Sequence, residues 1–268
     1  MTQPADDLRR ELGDIDIYLL DQLLRGRITD GMRVLDAGCG RGRNLVYLLR
    51  RGFDVSATDA SADAIEMTRS LAATLAPSSS GDRFRVEPVE RMSFEDGAFD
   101  VVISSAVLHF AHDEAQWWAM LREMWRVLAP GGLFFVQGGP IWTSAVGHHV
   151  GVKGEKAHYR FGVPGANPIP PWAHLAHSRE TLPATLVEQG VWAADAGLIA
   201  EFVYASPKLN RVGYRSMRDA FEASPLTAID RIEAAFQSPP ADMMARIARG
   251  PYAGQERYDV ASITFVAS

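Results

Sequence analysis

Cysteine is nearly absent from this chain of 268 residues, which holds a single one at position 39. One thiol excludes a disulfide framework within the chain and any metal site built from several of its cysteines. Such a composition is typical of a reducing compartment. We therefore expect a cytoplasmic location.

Basic charge and long apolar runs are also lacking. The formal net charge is −6 and the isoelectric point is near 5.7, which gives no basic surface for a phosphate backbone. No stretch approaches the roughly 20 apolar residues of a membrane span, and the polar, acidic beginning lacks the apolar core of a signal peptide. We therefore predict a small-molecule partner, no nucleic acid and no membrane. The oligomeric state does not follow from the sequence.

What the chain does contain is an alternation of apolar strands with helices, which predicts a parallel sheet covered on both faces in one domain, 1–268. The pattern is interrupted after residue 140 by a loop that is rich in proline, glycine and histidine. The predicted strands are Arg33–Asp36, Phe53–Asp59, Arg83–Pro88, Phe99–Ser105, Leu133–Gln137, Leu198–Ser206 and Val260–Ala267. The predicted helices are 14–26, 43–51, 61–75, 113–128, 178–189, 212–223, 226–236 and 241–248.

A glycine-rich turn follows the first strand, in the stretch Val34–Asn44. Glycines at 38 and 40 leave no side chain between backbone and ligand, and the free N–H groups of the next helix face the same side. The dinucleotide fingerprint needs a third glycine where Arg43 stands, which disfavours a nicotinamide cofactor. The turn therefore indicates a different nucleoside ligand.

Asp59 ends the second predicted strand. The carboxyl ends of parallel strands meet at one edge of a sheet, where an acidic side chain can accept hydrogen bonds from both hydroxyls of a ribose. The alternative is an aspartate that caps the following helix. The glycine turn upstream favours the ribose.

Four segments in this order resemble the class I S-adenosylmethionine-dependent methyltransferase family, including its tellurite-resistance and ubiquinone-biosynthesis groups. They are Val34–Asn44, Val55–Ser61, Phe94–His109 and Arg126–Gly132. The resemblance covers about residues 30–140 and implies a doubly wound α/β fold with a mostly parallel seven-stranded sheet, Rossmann-like, and S-adenosylmethionine as cofactor, bound by a core over 30–140. Beyond it, the residue patterns themselves predict a loop over 141–177 and a helical insertion over 207–259 before the last strand, and we expect these two regions to enclose the acceptor as a substrate loop and a helical cap.

The resemblance carries the cofactor contacts onto particular residues. The methionine moiety would lie on Asp36, Ala37, Gly38 and Gly40, with Cys39, Arg43 and Asn44 in the same turn. The ribose would bind Asp59, the adenine would pack on Ala60, and the sulfonium would face Ser104 and Ser105. The family's usual acid at the adenine is replaced by Pro88, which leaves Val89 to offer its backbone N–H and Glu87 or Glu90 to replace the acceptor.

Some of these residues have simpler interpretations. Arg43 would pair with a ligand carboxylate or else point to solvent, since a cation at a helix N-terminus is disfavoured without a partner. Cys39 is interpreted as a small turn residue, because no neighbouring group is placed to activate it as a nucleophile.

Methyl transfer from a sulfonium is an in-line displacement, so alignment and exclusion of water are the main requirements. A base is needed only where the acceptor must lose a proton. His109 follows the fourth strand and is the candidate base, although it could equally shape the loop. Tyr18 could close over the methionine end, or pack as an ordinary helix residue.

Five histidines fall in the region 141–177 after the sheet pattern ends. A zinc site needs three or four ligands that converge, and no spacing of that kind is present, so we predict no metal. They are His148, His149, His158, His174 and His177.

The prediction is a methyltransferase with a small-molecule acceptor. The alternatives are a methyltransferase that acts on protein or RNA, which the acidic charge disfavours, and a non-catalytic relative that binds the cofactor.

Overall fold

A computed structural model describes residues 4–77, 81–207, 209–255 and 257–268 of the chain. Helices and strands alternate through residue 138, and the pattern then changes. The helices are α1 (Pro4–Leu12), α2 (Ile17–Leu24), α3 (Leu45–Arg50), α4 (Ala62–Leu75), α5 (Glu114–Val127), α6 (Ala173–Ala176), α7 (Leu182–Glu188), α8 (Ala193–Ala205), α9 (Tyr214–Glu222) and α10 (Ala241–Ile247). The strands are β1 (Arg33–Ala37), β2 (Asp54–Asp59), β3 (Phe84–Val86), β4 (Phe99–Ser105), β5 (Leu128–Gly138), β6 (Gly151–Lys153), β7 (His158–Arg160), β8 (Ala228–Ala235) and β9 (Val260–Ala267).

Seven strands form one sheet in the order β3-β2-β1-β4-β5-β9-β8. Strands β1 to β5 are parallel, whereas β9 runs antiparallel to both β5 and β8. The predicted doubly wound, mostly parallel seven-stranded sheet is confirmed. The strand order reverses between β1 and β4, and ligands of open α/β sheets bind in the crevice outside the carboxyl ends of the strands at such a point.

Each face of the sheet is covered by helices, because successive side chains of a strand point to opposite faces. Val34, on one face of β1, belongs to a buried cluster with residues of α2, α3 and α4. Leu35, on the other face, belongs to a cluster with residues of α5, including the fully buried Trp117. Both faces of the parallel strands are therefore core, as their nearly continuous apolar sequence predicts.

Two of the predicted elements are wrong. Leu198–Ser206 was predicted as a strand, but residues 193–205 form α8. The buried residues Ala196, Ile199, Ala200 and Val203 of α8 follow helical spacing, so the short apolar run was given the wrong period.

The segment Leu226–Phe236 was predicted as a helix, but it contains β8. Alanine, glutamate and arginine favour helix in isolation, whereas pairing with β9 along its length imposes the extended form here. The main sheet thus has the predicted seven strands, with β8 in place of the strand predicted at 198–206.

Most of residues 141–258 forms a second layer over the carboxyl edge of the sheet, which we call the cap. It has its own apolar cluster, with Trp142, Tyr159 and Trp172 among its buried residues. The region 141–177 holds the hairpin β6–β7 and the short α6, and 207–259 holds β8 as well as helices α9 and α10. The first region is therefore more ordered than predicted, and the second is not purely helical.

Asp195 of α8 fixes the cap hairpin. Its carboxylate accepts hydrogen bonds from the Glu155 and Lys156 amides at 2.7 and 3.1 Å and from the Tyr159 hydroxyl at 2.9 Å. Burial alone would raise the pKa of Asp195, but these hydrogen bonds to the charged form hold it below its usual value. Gly154 is required beside it, since a Cβ there would lie 2.4 Å from the carboxylate carbon.

None of the helices in the described part of the chain combines the length and the apolar character needed to cross a membrane.

Candidate functional site

The glycine turn after β1 is held by the end of β2. The amides of Gly38 and Cys39 both donate to the Thr58 carbonyl, at 2.8 and 2.9 Å. Gly38 and Gly40 have positive φ angles of 79° and 54°, which glycine adopts at little steric cost. A Cβ on Gly38 would lie 2.5 Å from the Val107 side chain, whereas one on Gly40 would meet no protein atom within 4 Å. The turn is packed on one side and open on the other.

Asp59 joins the turn to the next helix. One carboxylate oxygen accepts the Gly40 amide at 2.9 Å, and the other accepts the Ser61 amide at 2.8 Å. The Ser61 hydroxyl, rather than Asp59, accepts the helical amide of Ala64, so Asp59 is not the cap of α4. A carboxylate has about four acceptor positions, which leaves capacity for two more donors.

Asp36 is a buried carboxyl group at the end of β1. It is 1% exposed, and its Oδ2 has no hydrogen-bond partner. Burial, opposed by the positive charge of Arg43, raises the pKa of Asp36 to about 7. A cationic group brought to this position would lower it again.

The glycine turn and Asp59 line a cavity of about 610 Å³ at the carboxyl edge of β1, β2 and β4, and Asp36 lies outside that lining. Six of the predicted site residues line it, together with residues of the N-terminal segment and of the turn after β4. The lining consists of Gly13, Asp14, Gly38, Cys39, Gly40, Arg41, Gly42, Arg43, Val46, Asp59, Leu71, Ser105, Ala106, Val107 and Phe110.

Arg43 contacts residues of two other elements, while its side chain stays 45% exposed on the cavity lining. Its guanidinium donates to the Ser105 hydroxyl at 2.7 Å and lies 3.7 Å from the Asp16 carboxylate. The Ser105 hydroxyl in turn donates to Asp16 Oδ2 at 3.1 Å. Asn44 is buried and accepts the backbone amide of Asp16 at 3.0 Å.

Sequence reasoning missed this role of the N-terminal segment. Gly13 and Asp14 line the cavity, and Asp16 anchors the segment to α3 and β4. A signal was available, because Asp16 precedes an apolar helical pattern and its side chain caps α2 through the Tyr18 amide at 3.0 Å. A cap position shows where a helix starts, but not that the capping side chain also faces a distant strand.

Cys39 is buried, and burial together with the neighbouring Asp36 charge raises the pKa of its thiol. Its Sγ lies 3.7 Å from the Thr68 hydroxyl. A thiol that resists ionisation is inert, in agreement with its interpretation as a small turn residue.

Other predicted cofactor residues are neighbours in sequence of residues that line the cavity, but they do not line it themselves. Ala37 and Ser104 are fully buried in their strands, and Ala60 is exposed after β2. Val89 is buried, whereas Glu90 accepts the Gln116 amide nitrogen at 2.8 Å. Glu87, the other candidate acceptor beside Pro88, accepts the Ser93 amide at 2.9 Å.

The two predicted catalytic residues are also outside this lining. Tyr18 is half-buried and packs on the α2–α4 side of the sheet. His109 lies in the short 3₁₀ turn Leu108–Phe110 and lines a separate cavity of about 20 Å³ with His149, Gly139 and Asn210. Burial and the nearby His149 lower the pKa of His109 to about 4, so its imidazole is neutral at pH 7.

Four rings run from the cavity to the cap. Phe110 lies on the cavity lining; its ring centroid is 4.0 Å from that of His109, which stacks on His149 at 5.1 Å. The His149 ring is 5.1 Å from Phe161, next to β7. His149 Nε2 lies 2.6 Å from the Pro140 carbonyl oxygen, which accepts a hydrogen bond from the ring N–H. The ring row therefore connects the turn after β4 to the cap.

The other loop histidines do not converge on one point. His148 and His174 are fully buried in the cap, with ring centroids 5.3 Å apart. His177 contacts Arg246, and His158 is exposed on β7. Across the described residues, no group of three or more histidine, cysteine, aspartate or glutamate side chains could hold a metal ion.

Comparison with known proteins finds similarity in the part of the chain that holds the glycine turn and Asp59. Residues 35–136 match a family model described as a methyltransferase domain. The ubiquinone biosynthesis O-methyltransferase of Methylocella silvestris is 35% identical over 109 residues, which cover 41% of this chain and 40% of that protein. The malonyl-acyl-carrier-protein O-methyltransferase of Erwinia billingiae is 28% identical over 59% of this chain and 57% of that protein.

The relatives include one that acts on RNA. The tRNA 5-carboxymethoxyuridine methyltransferase of Escherichia coli is 29% identical over 42% of each chain. This chain thus matches about two fifths to three fifths of the length of these relatives. A solved SAM-dependent methyltransferase from Methanosarcina mazei aligns over 91% of this chain and 95% of its own, with a TM-score of 0.55 and 16% identity, which shows the fold.

Proposed function

We propose that this chain is a class I S-adenosylmethionine-dependent methyltransferase that transfers a methyl group from S-adenosylmethionine to a small molecule, since residues 35–136 match a methyltransferase domain. The observation that carries the proposal is the glycine turn 38–42 with Asp59 at its side, opening onto the 610 Å³ cavity. The match to relatives is partial, so the acceptor is proposed from the geometry of this chain.

The residues present fit this cofactor. The open side of Gly40 allows a ligand to lie against the backbone, and the carboxylate of Asp59 can accept from two ribose hydroxyls. The buried and unpartnered Oδ2 of Asp36 suits a cationic group near the turn. Bound S-adenosylmethionine supplies a methyl group on a positively charged sulfur.

The contribution of the protein is alignment and the exclusion of water. Ser105 and Phe110 lie on the lining at the carboxyl end of β4, where the reacting groups would meet. The cap meets the carboxyl ends of β4 and β5 at the cavity of about 20 Å³, and the net charge of −6 disfavours a nucleic acid as acceptor. Since His109 lines a separate cavity, we propose that proximity, rather than proton removal, accounts for most of the rate.

The binding test is calorimetry with S-adenosylhomocysteine, with NADH as the control ligand. We expect saturable one-site binding of S-adenosylhomocysteine only. Incubation with methyl-labelled cofactor and a metabolite extract then tests turnover. Binding without any labelled small product, or with label in RNA only, would contradict the proposed reaction.

We expect the His109→Gln variant to lose less than tenfold in kcat, because His109 does not line the cofactor cavity. The measurement is the rate with the acceptor identified from the extract, at saturating cofactor. A general base typically contributes at least about 100-fold, so a loss of that size with unchanged cofactor affinity would assign that role to His109.

We expect the affinity for S-adenosylhomocysteine to rise as the pH is raised towards about 7 and then to level off. Asp36 is mostly protonated below its pKa of about 7, and only the carboxylate attracts the ammonium group of the ligand. Calorimetry between pH 5 and 8 measures this, and the Asp36→Asn variant should give a flat profile. A wild-type profile as flat as that of the variant would contradict the prediction.

A further inference from the structure

The cap hairpin carries basic charge in a chain that is acidic as a whole. The chain has three lysines, and two of them, Lys153 and Lys156, lie in the hairpin segment 151–160 together with Arg160. This segment has one acidic residue, Glu155, whereas the net charge of the whole chain is −6. The rest of the chain is therefore more acidic than the whole, and positive charge is concentrated on the hairpin.

The strand register places these basic side chains on one side. Lys153 of β6 lies directly opposite His158 of β7. Arg160 is two positions further along β7, so it points to the same side as His158. Tyr159, between them, is buried on the other side, in the apolar cluster of the cap. Lys153, His158 and Arg160 are exposed, and we call these three residues the basic face.

The basic face lacks an internal counter-charge. Neither Lys153 nor Arg160 forms an ion pair with a carboxylate in the described part of the chain. The two lie diagonally across the strand pair, where like charges repel each other. Asp195 nevertheless fixes the hairpin through the Lys156 amide at 3.1 Å and the Tyr159 hydroxyl at 2.9 Å. The charges are therefore held close together, which favours an anionic partner.

A groove beside the hairpin supplies an aromatic contact. Its volume is about 660 Å³, and it lies between the hairpin, the loop that follows β7 and the connection from α7 to α8. Trp192 lines the groove and is 50% exposed, with Lys156 Nζ 5.3 Å from the centre of its ring. Tryptophan and arginine are enriched among the residues that contribute most to binding at protein interfaces. The hairpin and the groove together thus combine cations with an exposed aromatic ring.

We propose that the basic face and this groove bind an acidic segment of a partner protein, with carboxylates on the basic face and an apolar side chain on Trp192. The groove and the cofactor cavity share no lining residue. The inference therefore goes beyond the proposed function and does not depend on it.

The distribution of charge favours a protein over a nucleic acid. A nucleic acid is a continuous polyanion, and it would extend from the small basic face onto the acidic remainder of this chain. A protein can restrict its carboxylates to an area that matches the basic face. An apolar side chain among them would also use Trp192, which a phosphate backbone would not.

The test uses a dye-labelled heptapeptide with a central leucine and three glutamates on each side, and fluorescence anisotropy measures its binding. We expect the wild-type chain to bind it, more weakly as salt screens the charges. A peptide with glutamines in place of the glutamates should bind at least about tenfold more weakly. The double variant Lys153→Glu, Arg160→Glu should weaken binding of the glutamate peptide by at least about tenfold.

The matched control is the double variant Arg50→Glu, Arg51→Glu, at the exposed end of α3. It changes the net charge by the same amount and should alter the peptide affinity by less than about twofold. Circular dichroism and thermal unfolding confirm that each variant is folded.

Trp192→Ala tests the aromatic contact separately from the charges. It should weaken the leucine-containing peptide by at least about fivefold and leave the binding of heptaglutamate unchanged. Phe236→Ala removes a ring that is 74% exposed and lies outside the groove, and it should weaken neither peptide.

Three results would overturn the proposal. The first is absence of binding by the wild-type chain, or equal binding by the wild type and by the Lys153→Glu, Arg160→Glu variant. The second is tighter binding of polyuridylate than of the peptide, which would assign the surface to nucleic acid. The third is a wild-type dimer in light scattering that this variant dissociates, which would assign it to a second copy of the chain. Because the variant should retain S-adenosylhomocysteine binding, failure here leaves the proposed function intact.

Discussion

Replacement of Asp59 by alanine should weaken the binding of S-adenosylhomocysteine by about 100-fold or more. Two hydrogen bonds from ribose hydroxyls to a charged acceptor contribute roughly 3 kcal/mol or more together, and a tenfold change in Kd corresponds to about 1.4 kcal/mol. The variant also removes the acceptor of the Gly40 amide, which orients the turn towards the ligand. Isothermal titration calorimetry measures the loss directly.

The matched control is Asp63→Ala, which removes an exposed carboxylate from the first turn of α4, four residues away. It changes the net charge by the same amount and should leave Kd within a factor of two. A folded Asp59→Ala variant with a Kd close to that of wild type would remove Asp59 from the ribose site.

Replacement of Gly38 by alanine should both destabilise the chain and abolish cofactor binding. An L-residue at a φ of 79° costs roughly 1–2 kcal/mol, and the added methyl group would lie 2.5 Å from the Val107 side chain. Overpacking of this kind costs typically about 1–3 kcal/mol, so the free energy of unfolding should fall by roughly 2–5 kcal/mol in total. Urea unfolding monitored by tryptophan fluorescence gives this value.

Gly40→Ala separates the two effects. The backbone of Gly40 also has a positive φ, but its added methyl group would meet no protein atom and would extend towards the cavity. The expected loss of stability is therefore the conformational cost alone, about 1–2 kcal/mol, whereas binding should be strongly weakened. Equal losses of stability in the two variants would show that Val107 does not restrict Gly38.

The sequence was most informative for elements whose structure depends on a pattern of residues close together in the chain. The parallel strands, their helices and the glycine turn were predicted because apolar periodicity and glycine spacing act over a few residues. Asp59 and Ser105 both line the cavity, since parallel strands end at a common edge, and their roles towards the cofactor stay predictions.

The remaining features depend on contacts between distant segments. The extended form of β8 follows from its pairing with β9, and the helical form of α8 from the face that it buries in the cap. Asp16 is linked to Ser105 across 89 positions of the chain, a relation that no local pattern encodes. His109 was expected at the reactive end, a role that stays untested, and it lines a different cavity from its neighbour Phe110.

The position of β9 between β5 and β8 has a consequence for synthesis. Strands β1 to β5 lie within residues 33–138 and pair only with one another until β9 is made, so this part of the sheet can form early. β8, by contrast, has β9 as its sheet partner and precedes it by about 25 residues. While the ribosome adds that stretch at about 5–20 residues per second, the β8 segment lacks its sheet partner for a few seconds. Asp230, Arg231 and Glu233 place charges along this segment, which oppose its pairing with other chains.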